Sequence, residues 1–180
     1  MNKYIVLLRG INVSGKNKIP MVELREVLDT LGFQNVQTYI QSGNIVLDAN
    51  ESKNEVCNKV HLGIKEKFGF DIPVLARTPE EWKRTIDKYP FPIENEKIVA
   101  FSFLDKLPSQ KEIEVKGINE DQYKIEDDMV YLYCPSGFGK TKLTNNTIEK
   151  KLDVIATTRN YKTTKKLLEL AHPSLPNGKE

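Results

Sequence analysis

The sequence predicts an α+β protein: a ferredoxin-like βαββαβ N-terminal half followed by a second, similar α+β half. Three observations carry the expectation. A continuous apolar run, Tyr4 to Leu8, precedes leucines at helical spacing; two β-prone runs meet at Ser42-Gly43-Asn44; and the same order of signals begins again after Pro90-Phe91-Pro92.

Taken in order, Tyr4 to Leu8 reads as a central strand covered on both faces, and Arg9-Gly10 ends it. Pro20 suits the first turn of a helix whose apolar positions are Met21, Leu24, Leu28 and Leu31, with Gly32 as the stop. Val36 to Gln41 and Ile45 to Asp48 read as antiparallel strands, because Gly43 and Asn44 tolerate the positive φ of a tight turn. Ser52 and Glu55 form a capping-box pattern ahead of Val56, Val60, Ile64 and Phe68 on one helix face. Pro73 to Arg77 supplies the fourth strand.

Thr78-Pro79-Glu80-Glu81 opens a further helix carrying Trp82 and Ile86. Beyond the prolines come a strand at Ile98 to Leu104, a capped segment from Ser109 with Glu112, and a hairpin from Gln122 to Cys134 turning at Asp127-Asp128. A helix from Lys140 to Leu152, a short strand at Val154 to Ala156 and a last helix from Asn160 to Ala171 follow. This divides the chain into a ferredoxin-like subdomain at 1–78, a helix and linker at 79–96, a second subdomain of βαββαβα-like order at 97–172, and a loose tail at 173–180.

Composition narrows the function classes. With 39% hydrophobic and 29% charged residues over 180 positions, the chain is too apolar to be disordered. Lys and Arg number 27 against 25 for Asp and Glu, so any affinity for phosphate must be local rather than spread over the surface. Arg9 cuts the first apolar run short of a membrane span or signal peptide, and two distant cysteines fit a reducing compartment; the expectation is a cytoplasmic protein with no membrane partner. Cys57, Cys134, His61 and His172 are too sparse for a zinc site, and no motif calls for a cofactor.

The stretch Arg9 to Lys18, RGINVSGKNK, is the main functional candidate. In a sheet of ferredoxin-like order the third strand neighbours the first and runs antiparallel to it, so this loop and the Gln41-Ser42-Gly43-Asn44 turn lie at the same end. That brings together Arg9, Asn12, Lys16, Asn17, Lys18, Gln41, Ser42 and Asn44, donors with almost no carboxylate among them, which suits an anion. Gly10, Gly15 and Lys16 imitate the spacing of a nucleotide P-loop, but Asn17 replaces its Ser or Thr and Pro20 delays the helix. Arg159 and Asn160, at the start of the last helix, add a fork-shaped donor and a helix cap or ligand. Ser136-Gly137-Phe138-Gly139-Lys140-Thr141 is a second partial P-loop match, most simply a glycine loop with a helix cap. Cys57 and His61 stand one helical turn apart with no third residue to orient them.

At RGINVSGKNK, TYIQSGNIVL and ATTRNYKTTKKLLEL the chain resembles the bacterial family known as domain of unknown function 1697. It departs mildly, with Ser14 where glycine is common and Tyr161 where Trp is frequent. The resemblance implies an α+β fold with a ferredoxin-like part and brings no established activity. The expected function is a binding module for a phosphate-bearing small molecule or nucleic-acid backbone. The alternatives are an acylphosphatase-like enzyme, with Arg9 and Asn44 as phosphate and water holders by analogy of fold, and a protein-interaction module.

Overall fold

The structure, a computed structural model, describes residues 1–172, so the tail expected at 173–180 lies outside the described residues. The chain divides into two compact units, Met1–Arg84 together with the chain from Lys165 onward, and Thr85–Thr164.

The first unit contains β1 (Asn2–Leu8), α1 (Met21–Thr30), β2 (Gln34–Thr38), β3 (Asn44–Ala49), α2 (Lys53–Phe68) and β4 (Val74–Arg77), with α3 (Pro79–Asp87) following. Its sheet has the order β2-β3-β1-β4, and every neighbouring pair is antiparallel. This is the ferredoxin-like order read from the sequence. Burial explains the apolar run: Tyr4, Val6 and Leu8 join a core with Leu24 and Leu28 of α1 and Val56, Val60 and Ile64 of α2. Ile5 and Leu7, on the opposite face, are buried as well. The Ser52–Glu55 capping box forms as expected, and Gly69 closes α2 in the left-handed conformation at φ 77°.

The second unit contains β5 (Val99–Leu104), β6 (Gln122–Glu126), β7 (Met129–Tyr133), α4 (Asn145–Leu152) and β8 (Ala156–Asn160), and α5 (Tyr161–Ala171) follows β8. Its order, β6-β7-β5-β8, repeats that of the first sheet. The crossover after β5 differs from the expectation, because the segment from Ser109 forms no helix. Its apolar residues, Ile113, Val115 and Ile118, pack on the second core without a helix, and Gly117, left-handed at φ 77°, interrupts the segment. The Ile113 amide instead donates to the Tyr123 hydroxyl at 2.8 Å.

Two other boundaries move for identifiable reasons. α4 begins at Asn145 rather than Lys140, since Thr144 is the residue whose side chain accepts the Thr147 amide, at 3.2 Å. The last strand begins at Ala156, after Asp153 ends α4 at φ 53°, and the β-branched Thr157 and Thr158 carry it to Asn160.

One ionic cluster ties the first sheet together away from the loop end. Lys3 and Asn35 each donate to Asp48, both at 2.8 Å. Burial by itself would raise the Asp48 carboxyl, but the Lys3 and Asn35 hydrogen bonds and the Lys3 charge outweigh it and hold it below its ordinary value. A carboxyl lowered by folding adds stability that is present at neutral pH and lost as pH falls through its folded value, below about 4. Denaturant midpoints measured against pH are therefore expected to fall in acid, and Asp48→Asn is expected to make that fall shallower.

Candidate functional site

The chain leaves β1 at Arg9, whose amide donates to Pro73 O at 3.0 Å, just after Leu8 N–H donates to Gly43 O at 2.9 Å. It then folds into a miniature hairpin. Asn12 N–H donates to Asn17 O at 3.1 Å, and Lys16 N–H to Val13 O at 2.9 Å. Ser14 and Gly15, at φ 51° and 73°, are the two central residues of the turn, the left-handed pair that matches strand twist. Asn12 and Asn17 are also left-handed, a conformation that asparagine accepts more readily than most residues. The loop is thus a self-bonded hairpin and not the phosphate cradle that its Gly-Lys spacing imitates.

Asn12 fastens this hairpin to its surroundings. Its Nδ2 donates to Gln41 O at 2.7 Å and to Ile19 O at 3.0 Å, while its Oδ1 accepts the Ile19 amide at 2.8 Å. Asn17 Nδ2 closes the base by donating to Gly10 O at 3.0 Å. On the facing turn, Asn44 is fully buried, and its Nδ2 donates to Tyr39 O at 3.0 Å and Ser42 Oγ at 2.8 Å. Gly43 is required there: at φ 86°, an added Cβ would stand 2.6 Å from Leu8 Cβ.

The structure places eight of the ten candidates at one end of the first sheet. Within that set the asparagines bond the scaffold, Lys16, Lys18 and Gln41 are exposed, and Arg9 and Ser42 are half-buried. Neither Arg9 to Lys18 nor Thr38 to Asn44 contains an Asp or Glu. Arg159 and Asn160 belong to β8 of the second unit. Arg159 is 7% exposed and donates to Thr157 Oγ1 at 2.6 Å and Thr158 O at 3.0 Å. Asn160 Oδ1 accepts the Thr163 amide at 2.8 Å and caps α5.

One residue at the loop end escaped sequence reasoning. Ile40 is half exposed and left-handed at φ 47°, a strained conformation for a β-branched side chain. Nothing in its residue type announces this, because the turn on either side imposes it.

Thiol and metal chemistry find no support among the described residues. His61 bonds Ile72 O at 2.7 Å and Asp71 at 2.9 Å. Burial raises both thiols, Cys134 to about 11, and so disfavours their reactive thiolates at neutral pH. Among the described residues no group of three His, Cys, Asp or Glu side chains is placed to hold a metal ion, and no helix is long and apolar enough to cross a membrane.

These features define a class: an α+β protein of two units sharing ferredoxin-like strand order, with an acid-free donor cluster at one sheet end. The chain belongs to the family described as "Protein of unknown function (DUF1697)", which it matches over residues 1–131. That span contains the first two of the three blocks that resembled the family; the third lies beyond it. Among solved structures, the conserved bacterial protein SP0830 from Streptococcus pneumoniae is similar at a TM-score of 0.71 and 23% identity, over 94% of this chain and 98% of that one. At this identity the likeness establishes the fold. No curated protein matches the chain.

Two substitutions test the scaffold in opposite directions. Gly43→Ala is expected to lower unfolding free energy by about 2–4 kcal/mol, through the Leu8 clash and the positive φ. Ile40→Asn is expected to raise it by about 1 kcal/mol, because asparagine accepts the left-handed conformation. Urea titrations read both.

Proposed function

We propose that the protein is a binding module for a phosphate-bearing ligand, a nucleotide or nucleic-acid backbone, acting through the Arg9–Lys18 hairpin and the Gln41–Asn44 turn. The observation that carries the reading is the Asn12 side chain, which bonds both loops and so holds an acid-free group of donors together. In this reading Asn12, Asn17 and Asn44 keep the scaffold rigid. Lys16 and Lys18 provide charge, Arg9 adds a guanidinium, and Gln41 and Ser42 contribute polar contacts. α1 starts just beyond Lys18 with no side-chain cap, and Glu23 in its first turn offsets the positive partial charge of its first amides, so the charge of the site rests on the lysines and Arg9. Arg159 and Asn160 support the second unit first, and any ligand contact they make is secondary to the bonds described above. Free thiols at Cys57 and Cys134 fit a cytoplasmic setting.

The acylphosphatase-like alternative draws less support, because Asn44 is buried and its Nδ2 already serves Tyr39 and Ser42. Titration calorimetry with nucleotides and short single-stranded oligonucleotides, repeated over a range of salt, tests the proposal. Saturable binding is expected to weaken with salt, and Lys16→Ala and Lys18→Ala are each expected to reduce the slope by about one counterion on an oligonucleotide. Affinity unchanged in the double variant would sink it.

A further inference from the structure

The Ser136–Thr141 glycine loop has no part in the reading above. In the second unit it forms a compact turn, with Gly137 O accepting the Lys140 and Thr141 amides at 3.1 and 2.9 Å. Asp121 anchors its start by accepting the Ser136 amide at 3.1 Å and the Ser136 hydroxyl. The turn carries Phe138 against the second core, where it walls a cavity of about 370 Å³. Leu143 extends the apolar wall, and Thr144, Asn145, Thr158 and Asn160 supply polar atoms. The volume is in the lower range of small-molecule sites, about 300–1,000 Å³.

The polar atoms offer both donors and acceptors: the Thr141, Thr144 and Thr158 hydroxyls donate to Cys134, Thr147 and Asn145, which leaves their oxygens to accept, and the two amides supply the donors. Asn145 Oδ1 accepts the Thr158 hydroxyl at 2.6 Å, and Asn160 Oδ1 accepts the Thr163 amide at 2.8 Å. With both oxygens engaged, each amide has its Nδ2 hydrogens left to offer, and neither Nδ2 donates to another described residue. None of the lining side chains is charged. The polar strip continues along the sheet face to Ser102, the ladder partner of Thr158, whose Oγ is fully buried with no hydrogen-bond partner among the described residues. Native cores seldom keep such a hydroxyl without a use.

We propose that this cavity binds the base of a nucleoside, a neutral planar ring whose carbonyl or ring-nitrogen acceptors meet the Asn145 and Asn160 amides while its face lies on Phe138. Uncharged donors and acceptors side by side match the mixed, uncharged edge of a base, whereas an ion would lose its hydration against uncharged walls. The cavity shares no residue with the Arg9–Lys18 hairpin or the Gln41–Asn44 turn.

A ¹H–¹⁵N NMR titration of the full chain with uridine, cytidine, adenosine and guanosine, all lacking phosphate, tests it. At least one nucleoside is expected to shift both side-chain amide signals along a single saturation curve. Asn145→Asp and Asn160→Asp retain the oxygens that meet Thr158 and cap α5, so the fold is kept while a donor becomes an acceptor. Each is expected to weaken binding about tenfold. Lys16→Ala with Lys18→Ala is expected to leave nucleoside binding unchanged, which separates failure of this proposal from failure of the phosphate reading. Absence of shifts at both amides with every nucleoside at millimolar concentration overturns the proposal, as does undiminished binding in both Asp variants.

Discussion

The loop end of the first sheet depends on one side chain, Asn12. It satisfies backbone groups of two chain segments outside its own hairpin: the approach to α1 at Ile19 and the β2–β3 turn at Gln41. Half-buried backbone groups at such a junction need partners, and a short amide side chain meets them without bulk. Gly43 completes the arrangement by letting the turn lie against Leu8, where any side chain would collide. The result is a rigid base from which Lys16 and Lys18 project into solvent.

That division of labour decides which chemistry the end can support. Amides engaged in holding backbone cannot also orient a water for attack, whereas the exposed Lys16 and Lys18 ammonium groups hold no part of the scaffold and supply the charge in the binding role we propose. Ile40 adds a local cost, a β-branched residue held left-handed between two ordered strands. Such strain persists only where the surrounding structure over-determines it.

The two units reach the same strand order by different routes. In the first, both crossovers are helices whose apolar stripes cover the sheet. In the second, the crossover after β5 is irregular and relies on Tyr123, which binds Ile113 through both its amide and its carbonyl. The strand order is the same in both sheets although the crossover from β5 to β6 carries no helix.

Sequence alone was sufficient for the parts governed by local rules. The alternation between apolar runs and helical stripes, the Ser52 capping box, the Gly43 turn and the βαββαβ order of the first half were all legible, because periodicity and backbone freedom are properties of short segments. The boundaries of α4 and β8 were not, since Thr144 and Asp153 act only in the company of particular neighbours. The candidate residues were legible as types and as a shared sheet end, but not as roles. Asn12, Asn17 and Asn44 looked like donors for a ligand, and the tertiary structure engages them with backbone instead. The left-handed Ile40 had no signal in its residue type, because the surrounding turn imposes it, and the Phe138 cavity had none because long-range pairing creates it: no residue's chemistry declares which distant partner will meet it.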